Sequence, residues 1–113
     1  MFIPVKLPNA AGSVITVTST ATSLYDLIET AAGTAFSPAN KEQLNALVIT
    51  NESADAVRFL ADGNTPTSSL GLLFPAEQTS IMDDIPLSKM KLIRTGGSNA
   101  TCSLQLGVAT ERT

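Results

Sequence analysis

Histidine and tryptophan are absent from this chain of 113 residues, and cysteine and tyrosine occur once each. Without histidine, the commonest general base and the commonest metal ligand are both missing, and serine or cysteine triads lose their base. The lone Cys102 excludes an intramolecular disulfide and a cysteine-based zinc site. Carboxylate, lysine and tyrosine chemistry remain. The expectation is a protein that is not an enzyme and carries no cofactor or metal. Charge is scarce as well, at 15% against a usual ~25%. Aromatics make up 4%, too few for the stacking platforms on which single-strand and sugar binders rely. No apolar run approaches the ~18 residues of a membrane span, and Met1-Phe2-Ile3-Pro4-Val5-Lys6 lacks the pattern of a signal peptide. A soluble protein made in the cytoplasm is expected, with no membrane partner.

What the chain does contain is hydroxyl side chains, 14 Thr and 11 Ser, beside a 43% hydrophobic fraction. Its length suits one domain with a folded surface of roughly 5,900 Å². The net charge of −3 is unevenly spread. Residues 41–88 are acidic, and residues 89–113 gather Lys89, Lys91, Arg94 and Arg112 against Glu111. Such a split can cancel within one fold or between neighbouring copies. An acidic chain with seven cations is a poor nucleic-acid binder.

Residues 1–12 hold Pro4, Pro8 and Gly12 around short apolar pieces, which suits an N-terminal extended arm or edge strand. Residues 13–113 read as one domain. Val14-Ile15-Thr16-Val17-Thr18 is all β-branched and alternates, so it is a strand. Leu24, Leu27, Ile28 and Ala31 form one helical stripe, with Thr22 or Ser23 as cap and Gly33 at the exit. From Leu44 a meander of short strands is expected: 44–50, apolar on both faces, then 54–61, 70–74, 79–82, 89–95 and 101–106. Gly96-Gly97-Ser98-Asn99 reads as a hairpin loop. The fold class is therefore mainly β: an antiparallel sandwich or small barrel, jelly-roll-like, of about eight short strands with one short helix. Ile15, Val17, Val48, Val57, Phe59, Leu92, Leu104 and Leu106 are the expected core.

No constellation points to chemistry. Asp83-Asp84 would face opposite sides of a strand and suits a turn better. Asp62-Gly63-Asn64 resembles the start of a calcium loop, but Leu73 stands where the bidentate Glu belongs. Cys102 sits in the inward register of the last strand, as a small apolar side chain.

The series Asn51-Glu52-Ser53, Val57-Arg58-Phe59, Asp62-Gly63, Pro66-Thr67, Gly71, Pro75-Ala76, Leu87-Ser88, Leu92-Ile93-Arg94, Gly97 and Ala100-Thr101 carries a family likeness. Across residues 44–106 the chain resembles small virion structural proteins of tailed bacteriophages, the decoration (cement) proteins and the neck or fibre-base proteins. The resemblance implies an inert β-domain present in many copies, bound without covalent links to the major capsid protein or another virion scaffold. It also implies a virion location. Capsid decoration is the leading expectation, with a neck, tail or fibre component as the alternative. A small glycan- or receptor-binding sandwich is the rival from another class. Self-association is expected as well, as a trimer or lattice neighbour. The expected interface residues are Phe2, Ile3, Val5 and Leu7 on the arm, extending onto a neighbour or the scaffold, together with Arg58 and Arg94. Both arginines are expected to be exposed, on strand faces opposite their apolar neighbours.

Overall fold

A computed structural model describes residues 2–109. The described residues form nine strands and one α-helix, besides three short 3-10 helices: β1 (Phe2–Pro4), β2 (Val14–Val17), β3 (Thr22–Ser23), α1 (Leu24–Ala32), β4 (Ala46–Asn51), β5 (Val57–Leu60), β6 (Leu72–Phe74), β7 (Gln78–Met82), β8 (Lys91–Arg94) and β9 (Ala100–Ala109). Its accessible surface is 5993 Å², as expected for one domain of this size. No helix among the described residues is long and apolar enough to cross a membrane.

All strand pairs are antiparallel, and they are nested. β5 pairs with β6, β4 with β7, β3 with β8, and β1 and β2 with β9. The chain is thus one long hairpin, folded back at residues 61–71. Wrapping it adds the pairs β4–β9 and β5–β8 and closes two sheets. Sheet A runs β1-β9-β4-β7, with β2 beside β9, and sheet B runs β3-β8-β5-β6. That is a jelly roll.

The expected meander is corrected by this topology. Residues 96–99 join β8 in sheet B to β9 in sheet A, so Gly96–Asn99 is a crossing between sheets and not a hairpin. Its tightness is visible at Gly96, where any Cβ would overlap the Asp55 carboxylate. The segment 52–56 is likewise a crossing from β4 to β5, which is why β5 begins at Val57 and not at Ala54.

Period-2 alternation sets the core. Leu47 lies opposite Leu106, Ile49 opposite Leu104, Ile15 opposite Cys102 and Val17 opposite Ala100, and all eight are buried. Sheet B answers with Val57, Phe59, Phe74 and Leu92, and the Phe59 and Phe74 rings stack at 4.1 Å. Val48 lies in the other register, facing outward opposite Ile81 and Gln105, so it leaves the expected core. Strand 44–50 has apolar residues on both faces, yet one face alone is packed inside.

Asn51 is the one buried polar side chain among the described residues, at 0% exposure. Its Nδ2 donates to the carbonyls of Asp55 and Phe74, at 3.0 and 3.2 Å. Its Oδ1 accepts from the N–H and the hydroxyl of Ser53. All four bonds that an amide can make are made, so burial costs little here. Because Phe74 belongs to sheet B, the amide also ties the two sheets together.

Helix α1 covers the open end. Ser23 accepts from the Asp26 N–H, Asp26 sits in the first turn, and Gly33 takes a left-handed φ of 74° at the exit. Loop 33–43 is strapped to the helix from three points. Phe36 is buried edge-on against Tyr25, its N–H donates to Glu29, and the Tyr25 hydroxyl donates to the Lys41 carbonyl at 2.7 Å.

Core and surface registers make separable predictions. Phe59→Ala and Leu104→Ala should each destabilise the domain by about 2–5 kcal/mol in urea unfolding. Val48→Ala, on the outer face, should cost less than about 1 kcal/mol.

Candidate interaction surface

Of the six residues expected at an interface, four lie on the arm, and the arm folds onto its own domain. Phe2, Ile3 and Pro4 pair with Ala109, Val108 and Gly107, and the Val5 N–H donates to the Leu106 carbonyl at 2.8 Å. Val5 and Leu7 pack partly buried against the core. Residues 2–4 therefore form an edge strand on β9 of their own chain. Met1 lies outside the described residues.

The physical reason is a seat at Gly107. A Cβ there would overlap the Ile3 carbonyl oxygen and come within 2.9 Å of the Phe2 ring. The missing side chain lets β1 lie close against β9. Both β1 and β2 occupy the same edge of β9, opposite positions 107–109 and 100–103. Eight residues, 6–13, therefore loop out opposite the two positions 104 and 105. The excursion docks on α1: Asn9 donates to the Ala32 carbonyl, and a Cβ on Gly12 would sit 3.2 Å from the Ala32 Cβ. Beside it lies an open cleft of about 490 Å³ lined by Val5, Leu7, Leu104 and Gln105 among others. Two of its polar side chains are already engaged, Asn9 with Gly12 and Ala32, and Ser13 with Ala10.

The two arginines differ. Arg58 lies on the outer face of sheet B, opposite Val57 and Phe59 as expected. It is half-buried, donating to the Ser68 and Gly71 carbonyls at 3.2 and 2.7 Å and so holding loop 61–71 against the sheet. Arg94 shares the register of Leu92, not the opposite one, because β8 alternates from Leu92 through Ile93. Its Nη1 donates to Asn99 at 2.7 Å, and its buried Nε has no hydrogen-bond partner. Both arginines are anchored to their own chain and half-buried, which corrects the expectation of exposed side chains.

The surfaces that stand open were not singled out from the sequence. Leu70, Leu72 and Leu73 are 60%, 60% and 49% exposed at the free edge of sheet B. Ile81 is 78% exposed on the outer face of sheet A, near Val48 and with Val14 farther along. Around them that face carries Thr16, Thr50, Thr79, Thr101, Ser103 and Gln105, with Thr50 and Thr79 hydrogen-bonded at 2.7 Å. Its carboxylate, Glu52, accepts from the Ser103 hydroxyl. Apart from Glu52, the side chains named on this face are uncharged, and most carry hydroxyls. The signal was present in the alternation, since Val48 and Ile81 are the apolar positions left over once the inward register is assigned.

The remaining candidates resolve into structure. The Asp62 carboxylate accepts from the Asn64 N–H and side-chain amide, both at 3.0 Å, which holds its pKa below the usual value. That is a closed turn. Asp83 and Asp84 follow β7, and Asp84 takes a left-handed φ of 57°. Cys102 is buried, and burial, with help from the Glu52 charge, pushes its thiol up to about 12. Burial and the Glu42 charge do the same to Tyr25, also to about 12. Neither group is ionised near neutral pH.

Comparison with protein-family models, curated proteins and solved structures finds no match for this chain.

Two outcomes follow from the buried thiol and the glycine seat. Unfolding releases Cys102 and Tyr25 to ionise near their ordinary values of 9.0 and 10.0, whereas in the fold both stay protonated to about 12. Their contribution is therefore complete below pH 9.0 and is lost as pH climbs toward 12. The urea midpoint should fall across that window, less steeply in Cys102→Ala. Gly107→Ala should lower stability by about 1–3 kcal/mol through overpacking. It should also speed tryptic cleavage after Lys6, because the arm loses its seat.

Proposed function

We propose that this chain is a non-enzymatic structural protein of a tailed-phage virion, decorating or stabilising the capsid through repeated protein–protein contacts. The observation that carries the reading is the outer face of sheet A. It is an exposed surface of hydroxyl side chains around Ile81, Val48 and Val14, with the Glu52 carboxylate beside Ser103. Threonine and serine lose little on desolvation compared with charged groups, and the three apolar side chains gain by it. Such a face suits contact with another protein surface, here the major capsid protein or another scaffold protein. The jelly roll is a fold that viral capsid domains use, which adds support. The resemblance over residues 44–106 points the same way. The arm contributes by closing the domain and exposing Ile3 at its rim, while Arg58 and Arg94 hold loops in place.

Binding to particles tests the reading. Particles of the virus encoding the chain, assembled without it, should bind the purified protein in co-sedimentation. The map of the complex should show the sheet A face on the shell. Ile81→Lys combined with Val14→Lys should abolish binding and leave the melting temperature unchanged. Failure of the unaltered protein to bind, or specific saccharide binding on a glycan array, would overturn the proposal.

A further inference from the structure

We propose that the free edge of β6 pairs with the β6 edge of a second copy across a two-fold axis, making one continuous sheet of the two B sheets. This rests on the edge strand itself and is independent of the virion reading, which uses the other sheet.

The backbone at this edge is poised for one symmetric pair. The Arg94 N–H donates to the Thr18 carbonyl, and the Met90 carbonyl accepts from the Leu24 N–H. The even-numbered residues of β8 therefore turn away from β5. Antiparallel ladders alternate, so Lys91 and Ile93 face β5, Val57 and Phe59 face β6, and the N–H and C=O of Leu73 point out of the sheet. Two outward positions flank Leu73. Residue 75 is proline and has no N–H, and the Gly71 carbonyl already accepts from Arg58. Leu73 alone offers both groups, and an isologous interface places a residue opposite itself.

The side chains agree with that register. With Leu73 on the axis, Leu72 of one copy lies opposite Phe74 of the other. Leu72 is 60% exposed, although its register matches the buried Phe59 and Phe74. The pairing would extend that aromatic stack across the axis and cover the exposed leucine. Leu70, also 60% exposed, would meet the 75–77 turn of the second copy. Charge fits as well. Glu77 in that turn comes alongside loop 68–71, which the Arg58 guanidinium holds by two carbonyls, and the relation occurs twice by symmetry. No charge interrupts residues 70–74, the device by which solitary edge strands are usually blunted.

Sedimentation velocity of the full chain from micromolar to millimolar concentration reads the association directly. A monomer–dimer equilibrium is expected, lost in Leu73→Lys with an unchanged melting temperature. Leu73→Cys under mild oxidation should give a covalent dimer through the axis. The unaltered protein, whose Cys102 is buried, should give none. A monomer at every concentration, or a dimer that persists in Leu73→Lys, overturns the proposal.

Discussion

One strand with both edges occupied organises this molecule. β9 runs ten residues, takes β4 along one edge, and takes β1 and β2 end to end along the other. Its alternation is nearly unbroken, with Ala100, Cys102, Leu104 and Leu106 inward. A one-residue slip would turn that whole set to solvent, so the register of three other strands is fixed through it. The nested hairpin closes around β9, which lies between β1 and β2 on one edge and β4 on the other.

Two local devices make that wrapping tight. Asn51, fully hydrogen-bonded at zero exposure, turns the chain from sheet A toward sheet B and reaches across to the Phe74 carbonyl. An apolar residue there would leave the Ser53 N–H without its acceptor and remove the bond to the Phe74 carbonyl, at a cost of about 1–3 kcal/mol for a buried group left unpaired. Gly107 works by omission, giving β1 room to lie against β9 with the Phe2 ring over it. Both devices sit at points where one sheet edge must be closed by a distant part of the chain.

The surfaces follow from the same geometry. Wrapping leaves β6 and β7 as free edges at one side, while α1 and loop 33–43 cover an open end. The uncovered outer face of sheet A and the β6 edge point in different directions. A surface contact and a self-contact are therefore compatible on one copy. Arg58 acts on the same side, because it holds loop 61–71 against sheet B beside the edge that β6 presents.

Period and punctuation in the sequence determined the class of fold: short alternating strands, turn residues between them, one capped amphipathic helix at Leu24–Ala32, and inward Ile15, Val17, Phe59 and Leu104. Local chemistry decides these features, and local chemistry is legible in order. Sheet membership is not. Gly96–Asn99 reads as a hairpin because a glycine-rich turn looks the same whether it pairs its neighbours or passes them to opposite sheets. Val48 reads as core because a strand apolar on both faces does not say which face will be covered. Arg94 reads as exposed because its side-chain partner, Asn99, is brought to it by packing. The open surface at Leu72 and Leu73 also escapes local reading. Leucine has no preference for exposure, and β6 is an edge because the hairpin folds back there and none of the described strands pairs beyond it.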